Sequence, residues 1–219
     1  MTSTIERRTL TEPVELRAEG GKRQAHGYAA VFNKLSQNLG GFVERVAPGA
    51  FAKTLQEQDI RALFNHDENH VLGRLAAGTL RAEEDGTGLV YDIDLPDTVS
   101  GRDVATLLER GDVSGSSFGF RVVEDEWGET EQGFPLRTLK AVALRDVGPV
   151  TFPAYTDSTS ALRSLAEKRS LDLDVLVAAA AAGELATLIV PRDDDSQRSD
   201  DDGRDTPTVV RERLTWLTS

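Results

Sequence analysis

Cysteine is absent from the 219 residues of this chain. Its absence excludes a disulfide framework, a thiolate zinc site, an iron–sulfur cluster and a cysteine nucleophile. Histidine is scarce, with three residues, so few side chains are left that titrate near neutral pH as a general base does. A chain without disulfides suits a reducing compartment, and we expect a cytoplasmic protein.

Positive charge is also in short supply. The chain has 25 Lys and Arg against 37 Asp and Glu, which gives a net charge of −12. Because nucleic acids and anionic membranes attract cationic surfaces, we expect neither as a partner. The longest apolar run, Val175 to Ala182, is too short to span a bilayer. Met1 to Arg8 carries charges where a secretory signal needs an apolar segment, so we expect no such signal.

Apolar residues are numerous enough for a folded core. Leu, Ile, Val and Phe supply 56 of the 219 residues, about 26%, above the roughly 20% below which chains stay disordered. The length predicts one domain with an appendage. We place the domain at residues 1–160, a helical appendage at 161–190 and an acidic, largely disordered tail at 191–219. Seven aspartates and three arginines in residues 191–205 indicate a solvated spacer, and apolar residues return in 206–219, where a short docking segment would fit.

The pattern of apolar residues predicts strands interrupted by short helices. Period-two alternation over 89–95, with a turn before it, predicts a β-hairpin over 79–95. Further strands are predicted over 24–32, 117–124 and 138–146, and a short apolar strand over 60–64. Pro48 would open one helix that runs to about residue 58, and Ser100 would cap a second that Gly111 ends. Helices are also predicted over 156–167 and 171–189. Without a βαβ rhythm, these elements predict a β-rich α+β fold, with a barrel as the architecture.

Two of the histidines lie just after the predicted strand 60–64. His66 lies two residues after the end of that strand, which is a common place for an active-site residue. His70 comes four residues later, and two histidines at this spacing can bind a metal from one helix face. The asparagines and aspartate around them favour a loop, however, and no third ligand is evident. We therefore expect no metal site, and a single histidine is by itself more often structural than catalytic.

The segment Gly115 to Gly119 matches Gly-x-Ser-x-Gly, the nucleophile elbow of α/β-hydrolases, with Ser117 at the nucleophile position. That elbow leads directly into a helix, whereas the residues after Ser117 read as a strand. The elbow enzymes also place their histidine after the serine, and here every histidine precedes it. On this motif alone, the favoured interpretation is the beginning of a strand that is built of small residues.

Asp146 ends the apolar strand 138–146. An acid in this place either solvates the strand end or orients a histidine, as the third member of a catalytic triad does. The chain order His66, Ser117, Asp146 is neither that of chymotrypsin nor that of subtilisin. A triad made of these residues would therefore belong to a different fold.

Taken in order, these elements resemble the prohead (capsid maturation) proteases of tailed bacteriophages, the group typified by phage HK97. The resemblance covers about residues 20–160, and the order and spacing of its short motifs make it specific. The motifs are Gly27 to Phe32, Glu44 to Phe51, Phe64 to Asp67, Leu72 to Arg74, Gly88-Leu89, Gly111 to Val113, Ser117 to Phe120, Asp146-Val147 and Val150 to Ala154.

The resemblance implies a fold, a site and no cofactor. The family is related in fold to the herpesvirus assembly proteases, which predicts a β-barrel wrapped by short helices. His66 corresponds to the general base, Ser117 to the nucleophile and Asp146 to the third member. Ser116 remains a second candidate nucleophile. Where the family more often carries Glu-Val-Ser, this chain has Asp146-Val147-Gly148.

The implied function is that of a serine endopeptidase. It would act inside the viral procapsid, in the host cytoplasm, on the major capsid protein precursor and its scaffolding segment. It would self-associate and cleave itself, removing part of the region after about residue 160. Two alternatives stay open: a non-enzymatic internal scaffold, which needs neither His66 nor Ser117, and an unrelated cytoplasmic esterase.

Overall fold

A computed structural model of the chain describes residues 4–152 and 158–189. Ten strands and five helices lie in these two ranges. The strands are β1 (Glu6–Leu10), β2 (Glu15–Glu19), β3 (Lys22–Val31), β4 (Val43–Val46), β5 (Arg61–Leu63), β6 (Val71–Arg74), β7 (Leu80–Glu84), β8 (Gly88–Asp94), β9 (Gly115–Glu129) and β10 (Pro135–Val150). The helices are α1 (Ala52–Glu57), α2 (Val99–Arg110), α3 (Ser158–Arg169), α4 (Leu173–Ala182) and α5 (Leu185–Ile189).

The strands form two separate sheets. The larger sheet has the order β1-β9-β10-β5-β6, and β4 runs parallel to the first part of β10. The smaller sheet has the order β2-β3-β8-β7. A closed barrel needs every strand to pair on both sides, but both sheets end in edge strands. Over the described residues the predicted barrel is therefore not closed, whereas the strand-rich α+β class with short helices is confirmed.

One apolar core joins the two sheets. Phe118, Phe120 and Val147 enter it from the larger sheet, and Leu89 and Ile93 enter it from the smaller one. The predicted hairpin over 79–95 is confirmed as the antiparallel pair β7–β8. The alternation in β8 places Leu89 and Ile93 in this core, as period-two burial requires.

The predicted strands 24–32 and 60–64 are confirmed as β3 and β5, and 117–124 and 138–146 are confirmed but too short. β9 and β10 continue as a long antiparallel hairpin over Glu126 to Glu129 and Pro135 to Thr138. The added part of β9 is mostly polar, with Trp127 as its buried side chain. Pairing across the hairpin, rather than a hydrophobic pattern, extends these strands.

The helix boundaries differ from the sequence predictions in their capping residues. α1 begins about a turn after Pro48. The side chain of Thr98, not Ser100, caps α2 by accepting a hydrogen bond from the amide of its first turn, and Gly111 ends α2 with φ 78°. The helix expected over 171–189 is two helices, because Gly183 adopts φ 75° and ends α4.

Helices α3 to α5 share a second apolar core with the long arm of β9. Phe42 and Trp127 contact each other there, with ring centroids 5.0 Å apart. The buried residues of this core are Leu39, Phe42, Trp127, Ala161, Leu162, Leu165, Ala166, Leu176, Leu185 and Ile189. The predicted boundary at residue 160 falls within α3, and the acidic segment 191–219 lies outside the described residues. Within the described ranges, no helix has both the length and the apolar character to cross a membrane.

A network of buried charges links β1 to the rest of the larger sheet. The fully buried Arg137 pairs with Glu6 at 2.9 Å and with Asp125 at 2.8 Å, and Arg8 pairs with Glu44 at 2.8 Å. Burial by itself would raise the pKa of Glu6, but the guanidinium groups of Arg137 and Arg8 outweigh it and lower that pKa. Because an unpaired buried charge is costly, this network fixes the position of β1.

Candidate active site

The loop after β5 carries His66 in an unusual backbone conformation. Asn65 and His66 have φ angles of 55° and 58°, a left-handed region that Asn adopts more readily than most residues. The Asn65 side chain is held at both ends by Thr151: its oxygen accepts the Thr151 amide at 2.8 Å, and its amide donates to the Thr151 hydroxyl at 3.0 Å. The backbone N–H of Asn65 also donates to the Pro149 carbonyl. The loop is thereby fixed to the end of β10.

Ser117 lies near the start of β9, in the middle of the larger sheet. Because side chains alternate along a strand, Ser116 and Phe118 face one side and Ser117 faces the other. Ser116 donates a hydrogen bond of 3.0 Å to the buried hydroxyl of Tyr91 in the smaller sheet. No helix follows Ser117, so the Gly-x-Ser-x-Gly match is not a nucleophile elbow.

A β-bulge brings Asp146 to the same face as Ser117. Leu144 pairs with Phe120, but Asp146 pairs with Gly119, so one residue of β10 is extra at this point. Regular alternation would place Asp146 on the core face, together with Leu144. The bulge shifts the register by one residue and so moves the Asp146 side chain to the opposite face.

His66 bridges the other two residues. Its Nε2 and the Ser117 hydroxyl oxygen are 2.6 Å apart, and its Nδ1 donates a short hydrogen bond to Oδ1 of Asp146. Ser117 and Asp146 are buried, and the His66 side chain is about 10% exposed. The structure thus brings together the three residues singled out in the sequence, in the order acid–imidazole–hydroxyl that a serine hydrolase uses.

The other candidates lie apart from this site. Ser116 faces the core and is bonded to Tyr91. His70 is nearly half exposed and its Nδ1 forms a hydrogen bond of 2.8 Å with the Ser100 hydroxyl. Among the residues that the structure describes, no group of three or more His, Asp or Glu side chains is arranged to hold a metal ion.

Gly119 has no side chain, and the Asp146 carboxylate occupies the space where one would lie. A Cβ atom added at Gly119 would come within 2.4 Å of Oδ2 of Asp146. A side chain at this position would therefore displace the carboxylate from His66. Gly148 in the neighbouring strand β10 also allows a close approach. A Cβ at this residue would come within 2.2 Å of the Leu63 carbonyl oxygen in β5. The Gly in Asp146-Val147-Gly148 thus permits close contact between β10 and β5.

Gly119→Ala is expected to lower kcat by about 10²-fold, since a displacement of roughly 1 Å at a reacting group costs this much. Gly128→Ala, on the same strand and with open space around it, is the matched control and should be unaffected. Steady-state kinetics would also be measured in an Asp146→Asn background. If Gly119 acts through Asp146, the two losses are not additive there; full additivity would contradict this role.

Sequence reasoning missed the residues that hold the site in place. Asn65 and Thr151 lie inside motifs quoted above, but nothing in a single sequence shows that they bond to each other. Gly119 was part of the Ser-Phe-Gly-Phe motif, and a small residue beside a nucleophile was the available signal. Its partner, the Asp146 carboxylate, depends on the bulge and is not visible in the residue pattern.

This acid–imidazole–hydroxyl site, with its acid and hydroxyl on strands and its imidazole on a loop, defines a serine-hydrolase arrangement on a two-sheet α+β fold. The sequence model of the caudovirus prohead serine proteases matches residues 12–171, and the chain belongs to this family. The prohead protease of Enterobacteria phage HK97 is 31% identical over 148 residues, which are 65% of this chain and 62% of that protein. The chain thus spans less than two thirds of this relative. Among solved structures, the bacteriophage T4 capsid assembly protease aligns with a TM-score of 0.47 and 12% identity, over 67% of this chain and 97% of that one.

Proposed function

We propose that this protein is a serine endopeptidase that matures the capsid of a tailed bacteriophage. The single observation that carries the proposal is that His66 bridges Ser117 and Asp146, in a member of the prohead serine protease family. A scaffold protein needs no such arrangement. Buried hydrogen-bonded polar groups of this kind stabilise a fold less well than apolar packing, so chemistry is the better reason for them.

In the proposed mechanism, Nε2 of His66 takes the proton of Ser117 as the hydroxyl oxygen attacks the scissile carbonyl. Asp146 accepts a hydrogen bond from Nδ1–H of His66 and stays ionised, which fixes the tautomer and stabilises the imidazolium. The imidazolium then protonates the leaving amine, and the acyl group stays on Ser117. Water, deprotonated by His66, releases the carboxylic acid product and restores the hydroxyl.

The proposed substrates are the major capsid protein precursor and its scaffolding segment. The name of the HK97 relative, prohead protease, supports this choice, as does family membership. Cleavage would occur inside the procapsid, in the host cytoplasm, where confinement supplies a high local concentration of substrate. Self-association and kinship of the fold with the herpesvirus assembly proteases are further parts of this proposal.

Self-cleavage is also part of the proposal, with a protease domain ending near residue 160. A cut at that boundary would fall within α3, whose Ala161 and Leu162 are buried in the second core. Cleavage there would first have to disrupt this core. Mass spectrometry of the active protein and its Ser117→Ala form after long incubation would locate any cut. Identical truncation in both forms would assign the cut to another protease.

The function is tested by co-expression with a capsid precursor that carries its scaffolding segment. Cleavage that depends on Ser117 supports an endopeptidase. Procapsids that assemble normally and remain uncut, with either the parent or Ser117→Ala, would favour the internal scaffold. Hydrolysis of small esters without any peptide cleavage would favour the esterase.

His66→Ala is expected to reduce cleavage as severely as loss of the nucleophile, because members of a triad act as one unit. His70→Ala is the matched control, since it removes an imidazole four residues away that bonds to Ser100 instead. Rates are measured on the same precursor for both variants. An active His66→Ala protein, or an inactive His70→Ala protein, would contradict the assignment of the base.

A further inference from the structure

Strand β1 covers the nucleophile. β1 pairs antiparallel with β9 along one edge, with Thr9 opposite Ser117 and Arg8 opposite Phe118. The other edge of β9 is taken by β10. Ser117 has no exposed surface, and its hydroxyl donates a hydrogen bond of 2.8 Å to the carbonyl oxygen of Arg8. A second polypeptide therefore has no free edge of β9 beside Ser117.

The hydrogen bond to Arg8 also opposes the chemistry. A serine hydroxyl has a single proton to donate. While that proton is given to the Arg8 carbonyl, it is not given to Nε2 of His66, which lies 2.6 Å from the same oxygen. The nucleophile is thus assembled but not activated in this arrangement.

Two cavities near the site do not include Ser117 in their lining. A groove of about 350 Å³ is lined by Asp59, Arg61, Leu63, Glu68, Val71, Arg145 and Asp146, so it reaches the acid and stops there. A cavity of about 180 Å³ runs along β1, from Arg8 to Leu10, and reaches Phe118. Neither of these two cavities includes Ser117, whereas the second one follows the strand that covers it.

We propose that β1 occupies the binding site for the substrate's main chain. The ligand of this site is an extended polypeptide segment, which would replace β1 at the edge of β9 and form backbone hydrogen bonds there, as peptides do when they add a strand to a sheet. Its scissile carbonyl would then lie over Ser117, where the Arg8 carbonyl now lies. This inference rests on the proposed endopeptidase function and adds where the substrate binds.

The buried charge network determines how strongly β1 is attached at the edge of β9, in the proposed substrate-binding site. Glu6 and Arg8 are the members of the network that β1 contributes, and they pair with Arg137 and Glu44 in β10 and β4. Removing one of these charges weakens the attachment of β1. Arg137 would still be paired with Glu44 and Asp125 after loss of the Glu6 charge, so the sheet beneath β1 keeps its partners.

A reversible disulfide tests the inference directly. Leu10 and Ser116 are directly opposed in the antiparallel pair, where Cα atoms lie about 4.5–5.5 Å apart, within disulfide range. The variant Leu10→Cys/Ser116→Cys would contain the only two thiols of the chain. Its oxidised form should cleave the capsid precursor at least about tenfold more slowly than its reduced form, and dithiothreitol should restore the rate. The parent, which has no cysteine, is the control for the reductant.

A second variant tests the same point in the opposite direction. Glu6→Gln should raise the rate at which a small sulfonyl fluoride modifies Ser117. Glu15→Gln, which removes the same charge from an exposed pair with Arg17, is the matched control and should leave that rate unchanged.

The results separate this inference from the proposed function. Equal rates of the oxidised and reduced disulfide variant, or no change with Glu6→Gln, would overturn the role of β1 while Ser117-dependent cleavage by the parent remains. A parent protein that neither cleaves the precursor nor reacts at Ser117 would overturn both.

Discussion

Ser117→Ala is expected to abolish precursor cleavage, with a fall of roughly four to six orders of magnitude in rate, as for removal of other triad nucleophiles. Only one hydroxyl is lost, and its hydrogen bonds are to His66 and the Arg8 carbonyl. The fold should therefore be retained, which thermal unfolding monitored by circular dichroism would show. Cleavage is followed by the appearance of the shortened capsid protein.

Ser116→Ala is the matched control for this prediction. It removes the neighbouring hydroxyl, which faces the core and bonds to Tyr91. We expect a cost in stability of about 1 kcal/mol, typical of one hydrogen bond, with cleavage retained. If Ser116→Ala were inactive and Ser117→Ala active, the nucleophile would be assigned to the wrong residue.

Asp146→Asn is expected to lower the cleavage rate by a large factor, about 10⁴ in the best-studied triad. The amide keeps the size of the carboxylate, but it has no negative charge to stabilise the imidazolium. Its NH₂ group can also donate to Nδ1 of His66, which favours the wrong tautomer. The side chain is buried against His66 and Gly119, so water cannot replace it easily. The rate is measured with saturating precursor, together with its pH dependence.

Asp92→Asn is the control for the Asp146 variant. Asp92 also accepts a hydrogen bond from a histidine, His26, at 2.9 Å, but neither residue contacts Ser117. We expect this variant to keep its cleavage rate. A loss of only about tenfold for Asp146→Asn would mean that the third member contributes little, and a rate within a factor of two of the parent would show that Asp146 only solvates a strand.

The positions of the three site residues were predictable for different reasons. His66 and Ser117 were found because each adjoins a predicted strand and because their motifs resemble a known family. Asp146 was a candidate because it ends a predicted strand and because its motif resembles that family, but regular alternation along β10 would place it with Leu144 in the core. The bulge that moves the Asp146 side chain to the face of Ser117 is a property of the pairing between β9 and β10. A single strand's pattern does not contain it.

The errors in the predicted fold have similar causes. The barrel was predicted from the number of strands, but closure depends on which strands pair at the sheet edges. Ser100 was chosen as a cap by residue type, whereas the Thr98 hydroxyl accepts a hydrogen bond from the backbone N–H of Gly101 in the first turn of α2. The role proposed for β1 had no signal at all, because Glu6 and Arg8 look like exposed charges until Arg137 and Glu44 are seen beside them.

The central claim is that Ser117, His66 and Asp146 form one catalytic unit. The most direct measurement is peptide mapping by mass spectrometry after reaction with a fluorophosphonate, in the parent and in His66→Ala, with cleavage of the capsid precursor followed in the same samples. We expect an adduct on Ser117 alone, loss of cleavage in proportion to that adduct, and little adduct in His66→Ala. An adduct on Ser116 or Ser100, or full cleavage by protein that is modified at Ser117, would contradict it.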